Sequence, residues 1–101
     1  MDQTLVVKLI LLWVPTRRYL AGEDPKLGAV LAPRVVAALQ AQRVIANGKH
    51  YVDNSQEDDR NAVTEVMDER TQWEIFYPAF QAAADAGLMS IMCSCVLRQF
   101  R

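Results

Sequence analysis

With 101 residues, 51% of them apolar, the chain has material for one small hydrophobic core and not for two. Its 11 basic and 12 acidic side chains leave a formal charge of -1, too little field to gather nucleic acid or an anionic membrane surface. Polyanion binding is therefore a poor first reading.

The apolar run from Leu5 to Val14 is interrupted by Lys8 and falls well short of the roughly twenty residues that span a bilayer. It begins after Asp2 and is followed by Pro15, Thr16, Arg17 and Arg18, flanks unlike those of a secretory signal. It reads as an N-terminal strand or helix, with a buried strand the more ordinary of the two. Asp24 followed by Pro25 predicts a helix start, since the aspartate can accept a free backbone amide and proline has none to lose. Leu27, Val30, Leu31, Val35 and Leu39 recur at helical spacing and predict one apolar face over Pro25 to Gln42. Pro33 falls inside it, so a kink or two short helices is expected.

Val44 to His50 begins with β-branched residues and ends in polar ones, the pattern of a buried strand with a polar C-terminal end. Asp53 to Asn61 has no apolar period and reads as a loop. A second helix is predicted over Glu69 to Ala86, capped by Asp68, stopped by Gly87 and kinked by Pro78. Its apolar face is Trp73, Phe76, Phe80 and Ala83, aromatics whose helical spacing marks them as core in preference to a sugar-stacking surface. Leu88 to Cys93 reads as another buried strand. Helix, strand, helix, strand is α/β organisation, and strands joined this way run parallel with right-handed crossovers.

Cys93 and Cys95 are one residue apart, too close for an unstrained disulfide. With a single histidine far away they also fall short of the four ligands of a structural zinc. They read as buried thiols, and neither a metal nor a cofactor is called for.

In α/β folds ligands bind beyond the strand ends, which directs attention to Lys49, His50, Asp53, Asn54 and Glu57. A charged donor, an imidazole, carboxylates and an amide together suit a neutral ligand with many hydroxyls, such as a sugar; the bland alternative is a solvated loop. Neighbours on a regular strand point to opposite faces, so Lys49 and His50 share one pocket only if the backbone departs from ideal geometry, even by a non-proline cis bond. Asp53, Glu57, Asp58 and Asp59 lie on one loop and make a poor catalytic pair, because such carboxyls must face each other across a substrate.

The segments YLAGEDPKLG (Tyr19 to Gly28), KHYVDNSQEDDRN (Lys49 to Asn61) and VMDERTQWEIFYPAFQAAADAGLMSIMCS (Val66 to Ser94) resemble the N-terminal barrel domain of glycoside hydrolase family 3. The resemblance implies a fragment of a (β/α)8 barrel at residues 19–94, with 1–18 unplaced and 95–101 a divergent tail. It implies an exo-acting, retaining glycosidase for terminal β-linked sugars, of the β-glucosidase and β-xylosidase kind, in the secretory pathway or outside the cell. Lys49 and His50 match the pair that holds sugar hydroxyls in the first subsite; Asp53, Asn54 and Glu57 are candidates to orient that loop. In the family the nucleophilic aspartate lies on a later strand and the acid/base comes from beyond the barrel, so this chain is expected to lack both and to be catalytically incomplete. The alternative is a non-catalytic carbohydrate-binding or regulatory module. Arg17 and Arg18 are out of register with the family's arginine, and its role is not carried over. Asn47 and Gly48 stand where small or apolar residues are usual, and are expected to loosen the strand. Both ends read as products of truncation, mis-splicing or an imperfect gene model.

Overall fold

The computed structural model describes residues 9–13, 23–52, 58–59, 62, 64–94 and 97–99, with residues 9–13 and 97–99 described by their backbone alone. Strand β1 (Leu9–Trp13) is followed by helix α1 (Pro25–Ala41), β2 (Ile45–Tyr51) and β3 (Thr64–Val66). A helical segment then runs as α2 (Glu69–Thr71), a π-helical turn (Gln72–Phe76) and α3 (Tyr77–Asp85), leading to β4 (Ser90–Cys93) and β5 (Leu97–Gln99). β1, β2 and β4 form a parallel sheet in the order β1-β2-β4, and β3 pairs with β5 in a separate parallel ladder. The α/β organisation expected from the sequence is present, and the strand expected in the N-terminal apolar run is β1. The short β3–β5 ladder had no signal in the sequence.

Asp24 caps α1 as expected, its Oδ1 accepting from the amides of Lys26 (2.9 Å) and Leu27 (3.1 Å). Two features of α1 differ from expectation. The helix is continuous from Pro25 to Ala41 with Pro33 inside it, although an interior proline costs about 3 kcal/mol. Ala32 and Val36, on either side of the proline, are fully buried in one cluster with Ala46 of β2 and Ala83 of α3, and this packing keeps both halves in line. Of the face the large residues predict, Val35 and Leu39 do pack against this cluster, but the buried stripe lies beside them. It runs through Gly28, Ala32 and Val36, whereas Leu27 and Val30 are 45% and 48% exposed. Small residues four apart line one side of a helix and leave room for α3 to pack closely there.

Pro78 does not simply kink the second helix. The turn before it widens, so that the Tyr77 amide donates to the Gln72 carbonyl five residues back, a π-helical bond that absorbs the register change ahead of a residue with no amide hydrogen. Gln72, buried in that turn, donates to the Met67 carbonyl (3.2 Å) and accepts from the Tyr77 hydroxyl (2.9 Å). Trp73 is 61% exposed and so is not core, in contrast with Phe80 and Ala83, which are. At the start of this helix the Asp68 carboxylate accepts from the Thr71 amide (2.9 Å) and hydroxyl (2.7 Å).

Helix α3 ends as its glycine predicts. Gly87 has φ +83°, its amide donates to Ala84 and that of Leu88 to Ala83, which together close the Schellman motif. Gln40 ties this turn to α1, its Nε2 donating to the Gly87 carbonyl (2.9 Å) and its Oε1 accepting from the Met89 amide (3.2 Å). The following strand is shorter than expected and begins at Ser90. Cys93 is a free and exposed thiol, on a strand that is at the edge of its sheet among the described residues; the expected burial does not hold for it. Cys95 lies outside the described residues.

Candidate functional site

β2 is the central strand of its sheet, and its direction of side chains can be followed residue by residue. Ala46 packs into the cluster with α1 and α3. At Gly48 an added Cβ would come 3.0 Å from Leu88 Cδ2 and 3.6 Å from the Phe80 ring. Both positions therefore face the helices, and the missing side chain of Gly48 is filled by its neighbours. The expectation that Gly48 loosens the strand is corrected on that ground.

Alternation then directs Asn47 and Lys49 to the opposite face of the sheet. Tyr51 returns to the helix side, where its ring stacks on Tyr77 (centroids 5.8 Å apart) and meets Phe80 edge-on (5.1 Å). From Gly48 to Tyr51 is an odd number of steps, so regular alternation would have set Tyr51 on the other face. One residue is extra, and the pairing with β4 shows the same slip: Lys49 pairs with Met92 and Tyr51 with Cys93, so the register shifts between Lys49 and Tyr51. This is the behaviour of a β-bulge. The Lys49–His50 and Tyr51–Val52 peptide bonds are cis.

Lys49 and His50 are both half-buried at the C-terminal end of the strand, where the amide of Ser94 donates to the Tyr51 carbonyl (2.7 Å) and joins the ends of β2 and β4. Of the other candidates, Asp53, Asn54 and Glu57 lie outside the described residues. Asp58 and Asp59 are exposed, and Asp59 has φ 53°.

Two residues of interest are not among the site candidates that the sequence suggests. Asn47 is 2% exposed and its Oδ1 has no hydrogen-bond partner; its polarity in an apolar strand was the one available clue. Tyr51 joins Trp73, Tyr77, Phe80, Gln81, Ala84 and Ile91 around a cleft of about 320 Å³. That cleft opens on the helix side of the sheet, because Ile91 pairs with Gly48. The aromatics are thus on the face away from Lys49 and cannot stack on a ligand it holds.

The chain has counterparts among known proteins in both sequence and fold. Residues 16–100 match the glycosyl hydrolase family 3 N-terminal domain. The chain belongs to this family. A β-glucosidase of Rhizobium radiobacter is 40% identical over 74 residues, covering 72% of this chain and 9% of its own length. The probable β-glucosidase M of Emericella nidulans is 35% identical over 82 residues, covering 70% and 11%. Among solved structures, the β-glucosidase DesR from Streptomyces venezuelae in complex with D-glucose superposes with a TM-score of 0.79 at 28% identity, over 89% of this chain and 13% of that one. β-Glucosidase 3B from Thermotoga neapolitana in complex with glycerol gives 0.81 at 27% identity, over 94% and 15%. The family 3 chain described here therefore spans 11% and 9% of the length of these two curated relatives. No described helix is long and apolar enough to cross a membrane.

Proposed function

We propose that this chain is the sugar-holding part of a (β/α)8-barrel β-glycosidase of the β-glucosidase type, acting on terminal β-linked sugars with retention, and that residues 19–94 are its barrel portion with 1–18 and 95–101 flanking it. The observation that carries the reading is the position of Lys49 and His50, at the bulged C-terminal end of the central strand in a family whose relatives are named β-glucosidases. Both side chains then turn to the face away from the helices. The ammonium has three donors and no acceptor, and the imidazole one of each when neutral, so the pair can grip adjacent hydroxyls in both senses. Asp53, Asn54 and Glu57 follow on the loop and orient it. A location outside the cell or in the secretory pathway goes with this reading.

Retaining hydrolysis needs two carboxyl groups about 5 Å apart across the scissile bond. The carboxylates that follow the pair in sequence, Asp53, Glu57, Asp58 and Asp59, share one loop, and the described two are solvent-exposed. The chain by itself therefore binds a sugar without cleaving its glycoside. Calorimetric titration of the purified chain with glucose is expected to show millimolar binding that is lost in Lys49→Ala, and an aryl β-glucoside is expected to release no aryl alcohol. Absence of heat at millimolar glucose overturns the sugar-holding role. Enzyme-level release that disappears in Lys49→Ala overturns the absence of turnover.

A further inference from the structure

Among the described residues β4 is an edge strand. Its sequence, Ser90, Ile91, Met92 and Cys93, contains neither the charge nor the proline that commonly keeps an edge from pairing with another chain. The aromatic cleft opens beside it, at Ile91. None of the seven residues lining that cleft is acidic or basic, although 23% of the chain is charged. Met89, Ile91 and Met92 along the strand, and Tyr51 and Trp73 in the cleft, are exposed. Strand edge and cleft therefore make one uncharged, largely apolar surface.

Such a surface fits a second strand edge that is also apolar and uncharged, and β4 of another copy is one. In a two-fold contact the same patch serves both sides, so a charge near the axis would face its like. Absence of charge is what self-pairing requires. We propose that two copies of the chain pair through β4, antiparallel about a two-fold axis perpendicular to the sheet, so that three strands from each copy make one sheet. Such an axis keeps the helices of both copies on one face. Directly opposite residues of an antiparallel pair share a face, and the register that meets this condition while centring on the cleft sets Ile91 opposite Ile91 of the second copy. The five exposed side chains leave on the order of 600 Å² open per copy, which with the edge backbone approaches the roughly 800 Å² per partner of a stable interface. The pairing does not depend on the sugar-holding role of Lys49.

The test is sedimentation equilibrium of the wild-type chain, Ile91→Lys and Ile91→Glu, with folding checked by circular dichroism. The wild type is expected to pass from monomer to dimer between about 1 and 100 μM. Each variant sets like charges against each other across the axis and is expected to stay monomeric over that range, a weakening of at least about a hundredfold. An equimolar mixture of the two variants is expected to form the dimer again, because the charges are then opposite. A monomeric wild type at 100 μM overturns the inference, as does a variant that dimerises like the wild type or a pair of variants that stay monomeric when mixed. Species that grow beyond the dimer with concentration also overturn it, since they mark an open-ended contact between unlike edges. Should the variants not fold, hydrogen exchange in the wild type decides: protection of amides in Ser90–Cys93 that rises with protein concentration supports the pairing, and protection independent of concentration refutes it.

Discussion

Replacing Phe80 by alanine removes the ring on which the C-terminal half of β2 rests. Phe80 is 2% exposed, packs with Val52 and Ala79, meets the Tyr51 ring at 5.1 Å, and lies where a Gly48 side chain would be. Deleting a phenyl ring from such a site costs about 3–5 kcal/mol, transfer and cavity terms together. A domain of this size has about 5–15 kcal/mol of stability in all, so the substitution consumes a large share of it. With a urea slope of about 2 kcal/mol/M, the unfolding midpoint, followed by tryptophan fluorescence or circular dichroism, is expected to fall by about 2 M. Phe80→Leu, which keeps most of the volume, is expected to lose about 1.5 kcal/mol or less. A midpoint shift below about 0.5 M in Phe80→Ala would refute the claim that this ring anchors the strand end carrying Lys49 and His50.

Arg43 follows α1 with φ 60°, a left-handed conformation that glycine adopts without cost; Arg43→Gly is expected to stabilise by about 1 kcal/mol and to raise the melting temperature. Gln40→Ala removes both bonds of the side chain to the Gly87–Met89 turn, at a cost of about 1–2 kcal/mol, and speeds hydrogen exchange at the Met89 amide; Gln40→Glu, which keeps only the acceptor, falls between. The Thr71 amide and hydroxyl hold the Asp68 carboxyl below its ordinary value of 3.8, because both bonds favour the ionised form. A carboxyl with a depressed folded value adds stability that is complete above the unfolded value and is lost as pH falls through the folded one. Acid melts of the wild type are expected to decline more over that interval than those of Asp68→Asn, and parallel declines would contradict it.

Much of the fold is legible in the residues because local signals and tertiary packing agree: Asp24-Pro25 starts a helix, Gly87 ends one, and the β-branched start of β2 marks a strand. The disagreements have separate causes. Leu27 and Val30 are larger than Gly28 and Ala32, so periodicity selects them as the core face, whereas close approach of α3 selects the small residues. Pro33 and Pro78 are alike in sequence, yet one is held in line by the burial of Ala32 and Val36 and the other is accommodated by a wider turn. β3 and β5 are three residues each, too short for any alternation to show. At the site, Lys49 and His50 stand out by residue type, but the extra residue that breaks the alternation is a property of pairing with β4. Asn47 is polar in an apolar strand, but a single polar residue has no period that would mark it as part of a site.

The central claim is that the face of the sheet bearing Lys49 and His50 is the one that holds a sugar. A glucose titration followed by amide chemical shifts tests it most directly. Changes that saturate at about millimolar glucose and are confined to Asn47–Tyr51 and the paired residues Ser90–Cys93 are the predicted result. Changes centred on Trp73, Tyr77 and Gln81 in the aromatic cleft, with Lys49 and His50 unmoved, would contradict it.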